Sequence, residues 1–355
     1  MAADSTIAAA FATLSEIFPK TTNGRTPLLT RRAFAGAAAS ALLGTGIRVA
    51  RAQSGYPDRP IHILVGYPPG GGVDLVARLL SEPMKAALGQ PTVIENRTGA
   101  AAMIAAQAVA RAAPDGYTLL MAASGEVAVN QHIFKDRMSY DPQKDLTPVA
   151  LAGIVPCVVV VKADSPIKTP RDLVAQAKAN PGKLSFSSSG VGNPQHLAGE
   201  LMNSMAGINV LHVPYRGSAP AVTDVASGVV TMSFSSLAAA LSLIQAGQIR
   251  AVAVTSRERM PQLPDVVPLS EGAPELAGYE LLNWFAMFAP ASTPEPILAR
   301  LHDVVTAALA DKALSAKLDG QGIVARPLTL PELRAFVVAE SEKFGKIAEA
   351  AHIKA

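Results

Sequence analysis

Val65-Gly66-Tyr67-Pro68-Pro69-Gly70-Gly71-Gly72-Val73-Asp74 lies between an apolar run, Ile61-His62-Ile63-Leu64, and the stretch Leu75-Val76-Ala77-Arg78-Leu79-Leu80. The order reads as strand, loop, helix. Two prolines stop the strand and hold the chain extended, and three consecutive glycines leave backbone N–H groups open to an approaching ligand. Val73, Val76, Ala77 and Leu80 then recur at helical spacing, so the unpaired amides and positive dipole end of a helix point into the same gap. Such an arrangement suits an anion, above all a carboxylate, and it equally describes a tight strand-to-helix connection that holds no ligand. No Gly-Lys-Ser/Thr follows the glycines, so this is not a phosphate-binding P-loop, and their spacing is not that of the dinucleotide fingerprint.

Outward from this stretch, short apolar runs alternate with helical patterns. Residues 61–67, 92–95, 117–122 and 155–161 read as buried strands, with helices at 73–88, 103–112 and 127–134. Strands at 184–188, 210–214, 229–235 and 249–255 follow, separated by helices at 170–179, 195–206, 219–227 and 237–245. The alternation predicts an α/β fold, and the continuous apolar strands predict mostly parallel sheets covered on both faces. After Thr255 the chain becomes Pro-rich and then resumes as the run Leu281–Ala289. Crossing strands near 153–161 and 281–289 would make residues 53–155 a first lobe and 156–283 a second. Residues 284–355 would return to the first lobe, with helices at 294–311, 312–321 and 331–351. Two lobes joined by two crossing strands form a hinge with a cleft.

The first 52 residues read differently. Thr30-Arg31-Arg32-Ala33-Phe34 precedes an uncharged, alanine-rich run to Ile47, and Ala50-Arg51-Ala52 is an A-x-A cleavage pattern. The expectation is a twin-arginine export signal removed after Ala52, and therefore a periplasmic protein. Of the 31 basic and 28 acidic residues, six and two fall in this segment, which leaves 25 and 26 and a formal net charge of −1. The basic balance of the whole chain thus belongs to the signal, and nucleic-acid binding is not expected. The lone Cys157, within Val155-Pro156-Cys157-Val158-Val159, reads as a small buried hydrophobe. The six histidines form no zinc-type cluster, and no Gly-x-Ser-x-Gly elbow or local Ser–His–Asp order suggests catalysis. Neither a metal nor a catalytic residue is therefore expected.

Several further segments carry a resemblance: Tyr56-Pro57-Asp58-Arg59-Pro60-Ile61, Pro68-Pro69-Gly70-Gly71-Gly72, Gly89-Gln90-Pro91, Val93-Ile94-Glu95-Asn96-Arg97, Ala113-Pro114-Asp115-Gly116-Tyr117-Thr118-Leu119-Leu120, Tyr140-Asp141-Pro142, His196-Leu197-Ala198-Gly199-Glu200-Leu201, His212-Val213-Pro214-Tyr215-Arg216-Gly217 and Leu263-Pro264-Asp265-Val266. Together they span the chain beyond the signal, which resembles the periplasmic substrate-binding proteins of tripartite tricarboxylate transporters, the Bug family. The resemblance implies a two-lobed, type II-like periplasmic binding protein, monomeric and without a cofactor. It would capture a small organic acid between the lobes and deliver it to the membrane permease subunits of such a transporter. A carboxylate sensor for a membrane signalling partner and a serine-dependent hydrolase are the alternatives.

In the family, two loops hold a carboxylate end of the ligand. Here these are the glycine loop, with Tyr67, Pro69, Gly70, Gly71 and Gly72, and Ser187-Ser188-Ser189-Gly190-Val191-Gly192-Asn193-Pro194, with Ser188, Ser189, Gly190 and Asn193 as candidates. Independently of the family, hydroxyls and amides at a helix N-terminus are uncharged anion donors, and a Ser-rich helix cap looks the same. Asp74 either orients the loop amides, meets the ligand, or interacts with the helix dipole. His196 reaches the ligand or caps and packs. Ser124, at the carboxyl edge of a strand, Tyr215 and Ser235 complete the candidates, while Arg216 either lines the cleft beside Tyr215 or is a solvated hinge-side charge, the commoner role. Ser235-Ser236 stands where many members have Asp-Asn, alanines 100–102 replace a glycine-rich turn, and Val191 stands where Asn is common. These departures favour a plain or aromatic carboxylate over a zwitterionic amino acid.

Overall fold

A computed structural model describes residues 55–351 and 353. The expected leader and its cleavage site lie outside the described residues. The strands are β1 (Ile61–Val65), β2 (Thr92–Asn96), β3 (Thr118–Ala123), β4 (Leu146–Lys162), β5 (Ser185–Ser188), β6 (Leu211–Pro214), β7 (Met232–Ser236), β8 (Ile249–Val254) and β9 (Leu282–Pro290). Helices of two turns or more are α1 (Gly72–Leu88), α2 (Met103–Ala110), α3 (Pro170–Ala179), α4 (Pro194–Ala206), α5 (Ser218–Ser227), α6 (Leu237–Gln245), α7 (Glu295–Leu309), α8 (Lys312–Asp319) and α9 (Leu330–Ala350).

The strands pair in the order β2-β1-β3-β9-β4-β7-β5-β6, with β8 on the other side of β4. Pairs among β1, β2 and β3, and among β5, β6 and β7, are parallel, whereas every pair made by β4 or β9 is antiparallel. The result is an α/β fold with two groups of strands. Strand β4 belongs to both: it pairs with β9 up to Pro156 and with β7 from Cys157. Among the described residues strand β9 pairs only with β3 and the first part of β4, and the chain reaches it through Leu281, whose N–H bonds to the Thr255 carbonyl.

Strand β4 begins at Leu146, well before the expected start at 155. Pro148 and Gly153 conceal its first half, because both sit at register shifts against β9. A proline cannot donate to a ladder and a glycine packs no side chain, so bulges are where a strand accepts them. At Gly153 an added Cβ would lie 2.6 Å from Ile323 Cγ2, and at Ile154 the segment around Val324 adds a two-hydrogen-bond bridge.

Alternation along the strands assigns the core. Ile61, Ile63 and Val65 of β1 pack with Val76 and Leu80 of α1 and Leu301 and Val305 of α7, while Leu64 joins Ala106 of α2 and Phe344 of α9 on the opposite face. In β4, Val159 and Val161 face Phe186 and Phe234, and Val158 and Val160 face Val222 and Leu237. Cys157 is buried in this strand, and burial pushes its thiol up to about 12, in keeping with a packing role. Among the described residues no helix is long and apolar enough to cross a membrane.

Candidate functional site

The glycine loop is organised from beneath by Asp74. This residue is buried in the first turn of α1 and accepts hydrogen bonds from the Gly70 amide at 2.9 Å, Arg78 Nε at 2.8 Å and Asn96 Nδ2 at 2.8 Å. Burial opposes its charged form, but the bonds from Arg78, Gly70 and Asn96 outweigh that and hold the carboxyl below its ordinary range. Of the alternatives for Asp74, the structure displays the orienting one. The Gly70 amide is thereby occupied, and the Gly71 amide makes a longer contact of 3.4 Å with the Pro68 carbonyl. Pro69, Gly70 and Gly71 are exposed on the loop's outer side; from this stretch Gly66, Tyr67 and Pro68 line the neighbouring cleft.

Opposite Gly66 lies the turn 98–103. Ala100, Ala101 and Ala102 have φ of 47°, 52° and 67°, a left-handed run that costs non-glycine residues about 1–2 kcal/mol each. Tertiary contacts hold it. An added Cβ on Gly66 would lie 2.4 Å from Ala102 Cβ, and buried Asn130 donates from Nδ2 to the Ala101 carbonyl at 2.9 Å. That bond fixes the amide's orientation and leaves Asn130 Oδ1 at the cleft without a partner. Asn130 follows the π-helical turn Gly125–Val129 at the carboxyl end of β3. Ser124, just before that turn, is buried and donates to Asn283 Oδ1 at 2.9 Å.

The second wall comes from the loop after β5. Asn193 caps α4 by accepting the His196 amide at 3.0 Å, and its Nδ2 donates to Ser189 Oγ at 2.7 Å. Ser189 also bonds to Gln195 Oε1. Gly190 and Gly192 have φ of 146° and 78°, so both need glycine. Behind the loop, Ser188 Oγ is 2.7 Å from His212 Nε2, and the His212 ring stacks on His196 at 3.8 Å between centroids. Burial, then the neighbouring His196, pushes His212 down to about 3, so it is neutral. His196 accepts the Gly192 amide at 3.3 Å and serves the loop from behind, its capping and packing alternative. Ser235 is likewise buried, with Oγ on the Ser236 carbonyl. Tyr215 lines the cleft and donates to Asp224 at 2.5 Å.

The cleft has a volume of about 670 Å³ and takes its walls from both groups of strands. Among the candidates it brings together Tyr67, Ser189, Gly190, Asn193 and Tyr215; Pro69, Gly70, Gly71, Gly72, Asp74, Ser124, Ser188, His196 and Ser235 stand behind or beside the wall. Its charged lining residues are Arg137 and Arg216, and among the described residues neither has a carboxylate partner. Among the described residues no acidic residue lines it. Arg137, Phe134 and Asn130 escaped the sequence reading. The signal available for them was their place just after β3, at the carboxyl edge where such sheets hold ligands. Among the described residues no group of three His, Cys, Asp or Glu is placed to hold a metal ion.

Residues 76–353 match the family described as tripartite tricarboxylate transporter family receptor. Among solved structures, the chain is similar to R. palustris Rpa4515 with adipate, at 34% identity and TM-score 0.79 over 84% of this chain and 99% of that one. It is also similar to the periplasmic binding protein BugD, at 32% identity and TM-score 0.76 over 84% and 100%. A third similar structure is MatC (Rpa3494) from Rhodopseudomonas palustris with bound malate, at 30% identity and TM-score 0.76 over 82% and 99%.

Proposed function

The chain belongs to the tripartite tricarboxylate transporter receptors, the Bug-type periplasmic binding proteins, and from that premise we propose that it is an exported, monomeric protein that captures a small organic carboxylate and passes it to its transporter's permease subunits. The carrying observation is the charge of the cleft, whose charged lining residues are Arg137 and Arg216, neither neutralised by a carboxylate among the described residues. Unpaired guanidinium groups beside a neutral donor such as the second Nδ2 N–H of Asn193 attract an anion and still let it leave. An amino acid's ammonium would find no acidic partner on this wall, which favours a carboxylate without one. Asn130 Oδ1 accepts a ligand hydroxyl or a bridging water.

Binding without turnover is the reading for the Ser188–His212 pair as well. Ser188 is fully buried, it does not line the cleft, and among the described residues no carboxylate hydrogen-bonds to His212 as a third member would. The two groups of strands act as lobes hinged at β4 and at the entry to β9.

Native mass spectrometry of the protein as purified, followed by calorimetric titration with adipate, malate, benzoate, glutarate and glutamate, tests the assignment. The expected result is one acid bound per chain, recovered unchanged, with glutamate weaker than its desamino counterpart glutarate. Turnover of a bound acid, or no binding by any of them, would sink it.

A further inference from the structure

Behind the cleft wall lies an acid that the proposed carboxylate site does not explain. Glu126 is fully buried in the turn Gly125–Val129, and among the described residues it has no cationic partner. Its Oε1 accepts the Ala123 amide at 3.0 Å and its Oε2 accepts the Tyr67 hydroxyl at 2.8 Å. The titratable groups facing it are two tyrosines: Tyr67, from the loop after β1, and Tyr140, whose hydroxyl donates to the Glu126 carbonyl at 2.6 Å. Strand β3 contributes the Ala123 amide, and α9 contributes Ser341, which bonds to the Ala128 carbonyl. Arg137 and Arg216 are the charges on the cleft side.

Tyr67 connects this acid to the ligand space. Both Tyr67 and Gly125 line the cleft, and a Cβ on Gly125 would sit 3.3 Å from Tyr67 Oη and 3.9 Å from Asn193 Cα. The hydroxyl is therefore at the seam where the two walls meet. An ionised Glu126 is an acceptor only, so the Tyr67 hydroxyl donates its hydrogen bond to it and leaves an oxygen lone pair toward the cleft, which repels a carboxylate. With Glu126 protonated the polarity reverses. Ala123 still occupies Oε1, the proton on Oε2 is donated to Tyr67 Oη, and the Tyr67 O–H is released to donate into the cleft.

We propose that the Tyr67 hydroxyl holds the ligand carboxylate only when Glu126 carries a proton, so that capture by a chain with Glu126 ionised takes up one proton from water. This rests on the carboxylate reading above. The ligand's own charge acts in the same direction, since a second anion close to a buried acid favours the acid's neutral form. Burial already pushes Glu126 up to about 7, which places the exchange in the neutral range.

The test is calorimetric titration of the wild-type chain with adipate and malate at about pH 6 and about pH 8, each in two buffers of different ionisation enthalpy. Uptake approaching one proton per ligand is expected at the higher pH and little at the lower, with affinity falling up to about tenfold per pH unit above neutrality. Glu126→Gln donates an amide N–H to Tyr67 as the protonated acid does, so it should bind equally at both pH values with no proton uptake. Tyr67→Phe should bind weakly at both. Binding by wild type without uptake or pH dependence, or uptake retained in Glu126→Gln, overturns the coupling alone. If neither acid binds at either pH, the coupling falls for these acids, and the carboxylate reading falls with it when the rest of the panel also fails to bind. A carboxyl-carbon NMR titration of the ligand-free wild type needs no variant to fold: a Glu126 midpoint at the ordinary value for glutamate overturns the proposal.

Discussion

Glu126 also leaves a signature on stability, independent of any ligand. Its carboxyl titrates at the ordinary value of 4.5 when unfolded and at about 7 when folded, because burial disfavours the charge. A raised folded value means that the stabilisation is complete below 4.5 and is lost as pH rises through about 7. At about 1.4 kcal/mol per unit, the penalty above neutrality amounts to about 3 kcal/mol. Glu126→Gln should therefore match wild type near pH 4.5 and exceed it by up to that amount near pH 8, as urea denaturation at the two pH values would read. Equal curves at both would mean that the acid is solvated or paired. Asp74 carries the opposite sign: its lowered carboxyl contributes stability that is present above its ordinary range and lost as pH falls below it.

The turn 98–103 is an element held in place by glycine. An added Cβ on Gly66 would lie 2.4 Å from Ala102 Cβ, 2.9 Å from its Cα and 3.0 Å from its carbonyl oxygen, and backbone cannot swing aside as a flexible side chain does. Gly66→Ala should cost about 1–3 kcal/mol of stability. Because the displaced turn lines the cleft, affinity for the best-binding acid of the panel should also fall at least about tenfold, a difference of about 1.4 kcal/mol. Gly71→Ala is the control: its φ is −75°, the nearest atom to an added Cβ is the Pro68 carbonyl oxygen at 3.5 Å, and it lies outside the cleft wall. Thermal melts with calorimetry on both variants decide the matter, and an unaffected Gly66→Ala would show that the turn yields freely.

This pair also marks what the sequence disclosed. Glycine loops and the strand-to-helix order were legible because proline, glycine and helical periodicity act locally. Left-handed backbone at Ala100–Ala102 was not, since alanine is the strongest helix former and only contacts with Gly66 and Asn130 impose that conformation. The early half of β4 was hidden for a similar reason, its Pro148 and Gly153 being tolerable only at bulges against a strand more than a hundred residues away. For the site, composition identified the loops, but which side faces the cleft is set by the hydrogen bonds beneath them. Asp74 holds one loop and the stacked His196 and His212 support the other.

At the scale of the whole molecule, the two walls already touch. An added Cβ on Gly192, in the loop after β5, would lie 2.5 Å from the Phe134 ring and 3.2 Å from Asn130 Oδ1, both from the opposite wall. A protein whose walls meet around its ligand space needs an open form for the ligand to enter, and a ligand that contacts both walls shifts the population toward the closed one. The ligand-free chain should therefore have a larger radius of gyration in solution than the chain saturated with its acid. Gly192→Val tests the same contact as a wedge: its side chain occupies the Phe134 position, and the left-handed φ of 78° adds local strain. The variant should keep the larger radius at every ligand concentration and bind more weakly, while its melt shows whether the strain alone unfolds it. Small-angle scattering on both proteins decides between the outcomes. A wild-type profile that does not change on saturation, together with normal binding by the wedge variant, would leave a rigid cleft open to solvent and no role for a hinge at β4.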